Sequence, residues 1–457
     1  MRDALPVIAV YDIGKTNKKV FLFNEDYEIV YEKSTNLEEI TDEDGDACED
    51  VYALTDWVKE SFEAIQQLKE FDIVAVNVTA YGASLVHVDA AGKPVAPLYN
   101  YLKPYPENLQ KTFYEKYGGV VKVSQHTASP VLGSLNSGML LYNIMKNKPQ
   151  IFEKIKYSLH LPQYISSLLT GKFCSDITSI GCHTMLWDFT KMAYHDWVYQ
   201  EGIAGKLAPV QSADDTIDVI IRKGKVRMGI GLHDSSAALI PYLLNFKEPF
   251  VLLSTGTWSI SLNPFNDSPL TEDQLKQDCL CYLTYKKQPV KASRLFAGYE
   301  HEQQVKRLAE HFDKPANYYT TVKFDSRIAS GLQADQQELL RADGQITAFS
   351  SRDIASFSGY EEAYYQLIAD IISRQIMSTK LVLEGSRDIK RIFVDGGFGK
   401  NPVYMHMLAD AFPDIEVYAA SVAQATAMGT ALSIHDHWNN KALPANIIDL
   451  MYYHSNK

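Results

Sequence analysis

Residues 7–23 read VIAVYDIGKTNKKVFLF: an apolar run, then Asp12-Ile-Gly-Lys-Thr-Asn, then a second apolar run. Two apolar segments of strand length joined by a short polar turn predict a hairpin. A plain hairpin needs only a turn former such as Asn-Gly. This turn instead collects a carboxylate, a glycine, an ammonium group and a hydroxyl, a set built to hold something. Outward from it, Val7–Tyr11, Val20–Phe23 and Glu28–Glu32 predict a three-strand meander, and the apolar spacing from Val51 to Leu68 predicts an amphipathic helix. FDIVAVNVTAYG, residues 71–82, reads as a buried strand covered by helices, with Val74, Val76 and Val78 alternating with small residues.

The opening pattern returns in the second half. PFVLLSTGTWSISLNPF, residues 249–265, is again strand, glycine turn, strand, and Asp12-Ile-Gly14-Lys-Thr16 falls on Ser254-Thr-Gly256-Thr-Trp258. Such an echo implies two related halves whose turns meet at one cleft. A third glycine turn, RIFVDGGFGKNPVYMHMLADAF, follows a buried strand and precedes a helix from about Pro402, so Gly396 and Gly397 offer bare amides to a ligand. Between these lies a helical subregion, residues 137–173, with Pro149 and Pro162 at helix starts or breaks and Gly171 at a stop. The boundary between halves is expected between Pro241 and Pro249, giving domains of 1–245 and 246–457, and the segment after Leu432 reads as a short closing tail.

Composition narrows the function classes. The 457 residues exceed one core, and 46% hydrophobic with 22% charged residues is ordinary for a globular chain. The net charge is -12 with scattered basic residues, which argues against nucleic acid or an anionic membrane as partner. Five cysteines without C-x-x-C spacing argue against a disulfide frame or structural zinc and predict a reducing, cytoplasmic setting. The first apolar run is too short for a signal segment, and no stretch approaches twenty apolar residues.

Glycine turns let amides approach phosphate oxygens, so an acidic chain can hold a polyphosphate without bulk positive charge. Asp12 would repel a bare phosphate; a hydrated Mg²⁺ between them resolves the conflict. A second carboxylate, Asp234 in MGIGLHDSSAALIPYL, stands where a helix begins. It reads either as a helix N-cap or as a general base that takes a proton from an attacking hydroxyl in phosphoryl transfer.

With these stretches assembled, the chain resembles the FGGY carbohydrate kinases, within the superfamily of sugar kinases, heat-shock chaperone ATPases and actin. DIGKTNKK resembles the first phosphate loop, STGTWS the second, and VDGGFGKNPVYMHMLADAF with SVAQATAMGTAL the adenosine region. IGLHDSSAA resembles the segment of the catalytic aspartate, and residues 147–189 a further family region. The resemblance implies an α/β fold of two actin-like, ribonuclease H-like domains with an interdomain cleft. It implies ATP and Mg²⁺, with Asp12 at the metal and Gly14, Lys15, Thr16 and Asn17 at the phosphates. Asp234 would be the base, Gly256 and Thr257 the second phosphate contact, and Gly396, Gly397 and Asn401 the adenosine contact. The family usually has threonine at position 15 and arginine at position 19; this chain has lysine at both.

The sugar-facing region departs most from the family. TAYGASLVHVD and PLYNYLKPYPE stand where Gln-x-His-Gly and Trp-x-Asp-x-Arg patterns are common, making Tyr81, Ser84, Asn100, Tyr101, His183 and Tyr299 candidates to touch the sugar; each also fits plain packing. His233 beside Asp234 resembles the rhamnulose and fuculose kinases, which points to a ketose such as L-fuculose or L-rhamnulose, with xylulose, gluconate or polyol kinases and a nucleotide-binding regulator as the alternatives. The expected partner is a small sugar, with a homodimer among the allowed assemblies.

Overall fold

Strand Leu5–Ile13 sits at the centre of the first of two seven-stranded sheets, antiparallel to Asn17–Asn24 and parallel to Phe71–Ala80. Its side chains alternate between two cores, as a period of two demands. Val7, Ala9, Tyr11 and Ile13 pack with helix Val51–Gln67 on one face, while Ile8 and Val10 enter a second core on the other. That helix starts where Asp50 accepts the N–H groups of Tyr52 and Ala53, and it buries Val51, Leu54, Val58, Phe62 and Ile65 at spacings of three and four. The computed structural model describes residues 4–222, 224–332, 349–386 and 388–455.

The meander is present, its third strand running Ile29–Asn36 and so continuing beyond Glu32. In the second sheet Phe250–Thr255 takes the central place, antiparallel to Ser259–Asn263 and parallel to Arg391–Gly396. The two sheets therefore repeat one plan: an antiparallel meander whose first strand is also paired, in parallel, with a later strand. The echoed turns fall at the same corner of each sheet. Gly171 ends helix Leu161–Thr170 in the left-handed region, the stop expected of it.

Two helices join the halves. Helix Asp234–Asn245 leads out of the first sheet, and residues 246–249 carry the chain into the second. Pro241 lies inside this helix, so it has no N–H to give the Ala237 carbonyl. Helix Ala425–Ser433 crosses at that point; a Cβ on Gly429 would lie 1.9 Å from the Ala237 oxygen, so only glycine lets the backbones meet. The shared core holds Ile8, Val10 and Leu232 from the first half with Leu252, Phe393 and Met428 from the second. Asn77 donates to the Thr430 carbonyl and the Ser433 hydroxyl, both at 3.0 Å, and the Tyr27 hydroxyl meets His435 at 2.6 Å. The segment after Leu432 thus docks on the first half before returning as edge strand Asp449–Tyr453 of the second sheet.

Candidate active site

Asp12 lies one residue before the end of the central strand, paired in register with Lys19 on one side and Thr79 on the other. Burial and the negative charge of Asp234 push its carboxyl up to about 7, with Lys19 pulling the other way. The two carboxylates therefore sense each other across one space, and both offer hard oxygen donors of the kind Mg²⁺ takes. A cation there relieves the repulsion that raises Asp12, so the residues present fit the metal.

Asp234 is the first residue of its helix, and His233, not Asp234, occupies the N-cap position. Its contacts all fall on Oδ1: the Ser235 N–H at 2.6 Å, the Ser235 hydroxyl at 3.2 Å and His233 Nε2 at 3.0 Å. Oδ2 has no such commitment among the described residues, the state of a carboxylate ready to accept a proton. Burial opposes its charge, but His233 and the Ser235 bonds hold it below the usual carboxylate range.

His233 is itself buried and tightly held. Its N–H donates to Thr178 Oγ1 at 2.9 Å, Thr178 donates in turn to buried Asp176, and Nε2 lies 3.2 Å from Cys182 Sγ. Burial alone would discharge the imidazole; Cys182 and Asp234 hold it well above its ordinary value. Cys182 is drawn down to about 6 by His183 and His233 against its own burial. Tyr282, from the second half, packs 5.4 Å from the His233 ring and 6.1 Å from His183. Arg294, paired with Asp278 at 2.7 Å, stacks on Trp258 of the second turn and feels the charge of Cys182. This chain of contacts ties the second turn to the aspartate.

In both turns the glycine amide closes the loop: Gly14 N–H donates to Asn17 at 2.9 Å and Gly256 N–H to Trp258 at 2.8 Å. Among the described residues, the turn amides without a backbone partner are those of Lys15, Thr16, Thr257 and Trp258. The Lys15 ammonium is engaged elsewhere, 2.9 Å from Glu39, 3.6 Å from Glu49 and 6.0 Å from the rings of both Tyr81 and Tyr101. Asn17 begins the second strand, at the exposed edge of the turn. Below the turn, buried Lys18 bonds Glu49 at 3.0 Å and the Lys15 carbonyl at 2.9 Å.

The second and third turns are zipped together through Thr255. Its hydroxyl donates to the Asp395 carbonyl and accepts the Phe398 N–H, while its carbonyl accepts the Gly397 N–H. Gly396, at φ +94°, passes so near that a Cβ would lie 1.9 Å from the Thr255 oxygen. Beside them opens a cavity of about 520 Å³ lined by Gly256, His301, Tyr319, Gly397, Phe398 and Asn401. Burial keeps His301 neutral, its value down at about 4, and its ring meets Tyr319 edge-on at 4.9 Å. Such an aromatic slot suits a purine. Asn401 caps the helix from Pro402 with its oxygen and donates to Tyr364 at 2.8 Å, so its amide shapes the wall.

Tyr81 and Tyr101 come together edge to face at 6.0 Å, and Tyr101 feels the charge of Asp234. Ser84 is buried nearby in sequence, and Asn100 turns its oxygen onto the Leu102 N–H. His183, at φ +39°, has Nδ1 against the Leu135 carbonyl at 3.1 Å. Tyr299 makes its contacts with the second turn, its N–H donating to the Thr257 carbonyl and its ring stacked on Phe296, rather than with the Tyr81 and Tyr101 pair. Cys182, Tyr282, Arg294, Lys18, Glu49 and His301 were not foreseen; only Cys182 had a signal, as the neighbour of His183.

Residues 7–240 match the model of the N-terminal domain of the FGGY family of carbohydrate kinases, and residues 247–442 that of the C-terminal domain. The chain belongs to the FGGY family. Among FGGY relatives, it is 26% identical over 281 residues to the L-fuculokinase of Salmonella typhi, covering 56% of each chain. It is 23% identical over 265 residues to the rhamnulokinase of Halalkalibacterium halodurans, covering 54% of this chain and 52% of that one. The chain thus spans about half the length of these two relatives. A neighbour in fold, the carbohydrate kinase from Novosphingobium aromaticivorans, superposes with a TM-score of 0.79 at 22% identity over 99% of this chain and 95% of the other. The fold is the actin-like pair of domains. Among the described residues no helix is long and apolar enough to cross a membrane.

Proposed function

We propose that this FGGY chain is an ATP-dependent sugar kinase that passes the γ-phosphate to a hydroxyl of a small ketose, L-fuculose or L-rhamnulose in type. The observation that carries the reading is Asp234: a carboxylate pinned through Oδ1 by His233 and Ser235, Oδ2 uncommitted, close enough to the half-buried Asp12 for the two charges to repel. Asp234 accepts the proton of the sugar hydroxyl as its oxygen bonds to the γ-phosphorus. The bond from that phosphorus to the bridging oxygen breaks, and ADP leaves. Little covalent work falls to the protein in such transfers, so position and charge decide the rate. Mg²⁺, when bound, supplies neutralisation of the phosphate charge. Asp12 would hold it, the open amides of Thr16 and Thr257 orient phosphate oxygens, and the slot beside His301 and Tyr319 takes the base. Tyr81 and Tyr101 form the apolar wall for the sugar.

The ketose reading rests on the similarity to a rhamnulokinase and an L-fuculokinase and on the adjacent His233 and Asp234. Five free, buried cysteines support a reducing, cytoplasmic setting. The two halves, 1–245 and 246–457, close on the substrates and exclude water, which keeps the phosphate from hydrolysis. The test is a coupled assay of ATP consumption over ketoses, aldoses and polyols, with Asp234→Asn beside the wild type. Ketose-stimulated turnover that Asp234→Asn abolishes, with nucleotide affinity retained, is the expected result. Near-normal turnover in Asp234→Asn refutes the role, and an unstimulated slow hydrolysis would mark a nucleotide-dependent regulator.

A further inference from the structure

In the helical subregion of the first half, three side chains with no part in the site above converge. His126 comes from the last turn of helix Val120–Thr127, Asp188 from the short strand Trp187–Asp188, and His195 from the residue that opens helix Asp196–Gln200. One ligand atom from each lies within 4.8 Å of the other two. The backbone fixes this meeting: the Phe189 N–H donates to the His126 carbonyl and the His195 N–H to the Leu186 carbonyl, both at 2.8 Å.

A second observation points into the same space. Asp188 is fully buried, and its Oδ1 is saturated by the Thr190 N–H at 2.9 Å, the Thr190 hydroxyl at 2.6 Å and the Lys191 N–H at 3.0 Å. Its Oδ2 is buried with no hydrogen-bond partner among the described residues. The nearest groups to it are His126 Nδ1 at 3.7 Å and the Lys191 ammonium at 3.9 Å, and that ammonium is bound closer, at 2.6 Å, to Asp196. A buried carboxylate oxygen without a donor needs an explanation. A cation held between it and two imidazoles gives one.

We propose that His126, Asp188 and His195 bind one divalent transition-metal ion, with Zn²⁺ the best match. Two imidazoles and a carboxylate select zinc-like ions over Mg²⁺ or Ca²⁺, which prefer oxygen alone. Bonds of about 2.0–2.2 Å set tetrahedral ligand atoms roughly 3.3–3.6 Å apart, close to the 3.7 Å between His126 and Asp188. The remaining gap closes by rotation of His126, whose side chain is partly exposed and leaves the fourth position to water. His195 gives up one weak bond on loading, the Trp197 N–H to Nδ1 at 3.3 Å, whichever ring nitrogen takes the ion. The ion staples a helix, a hairpin and a second helix start.

The test titrates chelator-treated, full-length protein with Zn²⁺ by calorimetry and with Co²⁺ by visible absorption, in excess Mg²⁺ to occupy the carboxylates of the cleft. One ion per chain, a tetrahedral Co²⁺ spectrum without thiolate charge transfer, and a rise in thermal midpoint with Zn²⁺ are expected. His126→Gln, on the partly exposed side, keeps the fold by circular dichroism but loses affinity by at least the roughly 10–100-fold that removing even an outer-shell partner costs, and its midpoint no longer responds. Equal affinity in His126→Gln, a thiolate charge-transfer band, or no binding would overturn the proposal.

Discussion

Asp12→Asn in the ligand-free protein isolates the charge at the centre of the cleft. The Asp12 carboxyl stands at about 7 against 3.8 for a free one. Between those values the unfolded chain has released a proton that the folded chain still holds, so this group costs stability progressively as pH rises from about 4 to 7. A displacement of roughly three pH units, at about 1.36 kcal/mol each, sets a ceiling of about 4 kcal/mol. Asp12 is only half-buried in an open cleft, and solvent screening brings the expected effect to about 1–2 kcal/mol. At about 2.1 cal/mol/K per residue over this length, each kcal/mol moves the thermal midpoint by roughly 1 °C. Scanning calorimetry from pH 4 to 8 should find the variant level with wild type at pH 4 and 1–2 °C above it at pH 8, by that same conversion. Saturating Mg²⁺ at pH 8 should raise wild type and leave the variant unmoved. Parallel curves with and without Asp12, or equal response to Mg²⁺, would refute the claim that its charge is strained and awaits a cation.

Three further outcomes follow from the contacts. Lys18→Met leaves Glu49 buried with only the longer 3.6 Å pair to Lys15 and should cost up to about 3–5 kcal/mol by denaturant unfolding, while Lys18→Met with Glu49→Leu should recover most of it. Gly429→Ala gains about 1 kcal/mol in helix propensity yet places a Cβ 1.9 Å from the Ala237 carbonyl, so a net loss of about 1–3 kcal/mol is expected in the same measurement. Cys182→Ala removes one of the two negative neighbours that hold His233 up, so His233 is less readily protonated beside Asp234; Asp234 then titrates higher, moving the acid limb of kcat/KM to higher pH.

Local patterns carried most of the fold. Alternation in Val7–Phe23 and its echo in Phe250–Asn263 are written in single strands and their turns, and so were legible. Asp12 and Asp234 were legible for the same reason, each standing where a strand or helix meets a polar turn. The partners that tune them were not. Cys182 and His233 lie 51 residues apart, and Lys18 and Glu49 31 apart, joined only by packing. Tyr282 and Arg294 reach the site from the opposite half, with no local signature. The sequence points to the amides of Gly14, Gly256 and Gly397, but the turn geometry spends these internally, Gly397 on the Thr255 carbonyl, and passes the task to their neighbours. Asn401 reads as a ligand contact in one dimension; in three it lines the cavity and also caps the helix from Pro402.

Helix Ala425–Ser433 completes an apolar face begun at Ile8, more than four hundred residues earlier in the chain. During synthesis the first sheet emerges long before that helix exists, and it waits with Ile8, Val10, Phe21 and Phe23 uncovered on one side. A nascent chain in that state is a natural client for a holding chaperone. The first 245 residues expressed alone should be poorly soluble until a peptide spanning 425–441 is supplied in trans.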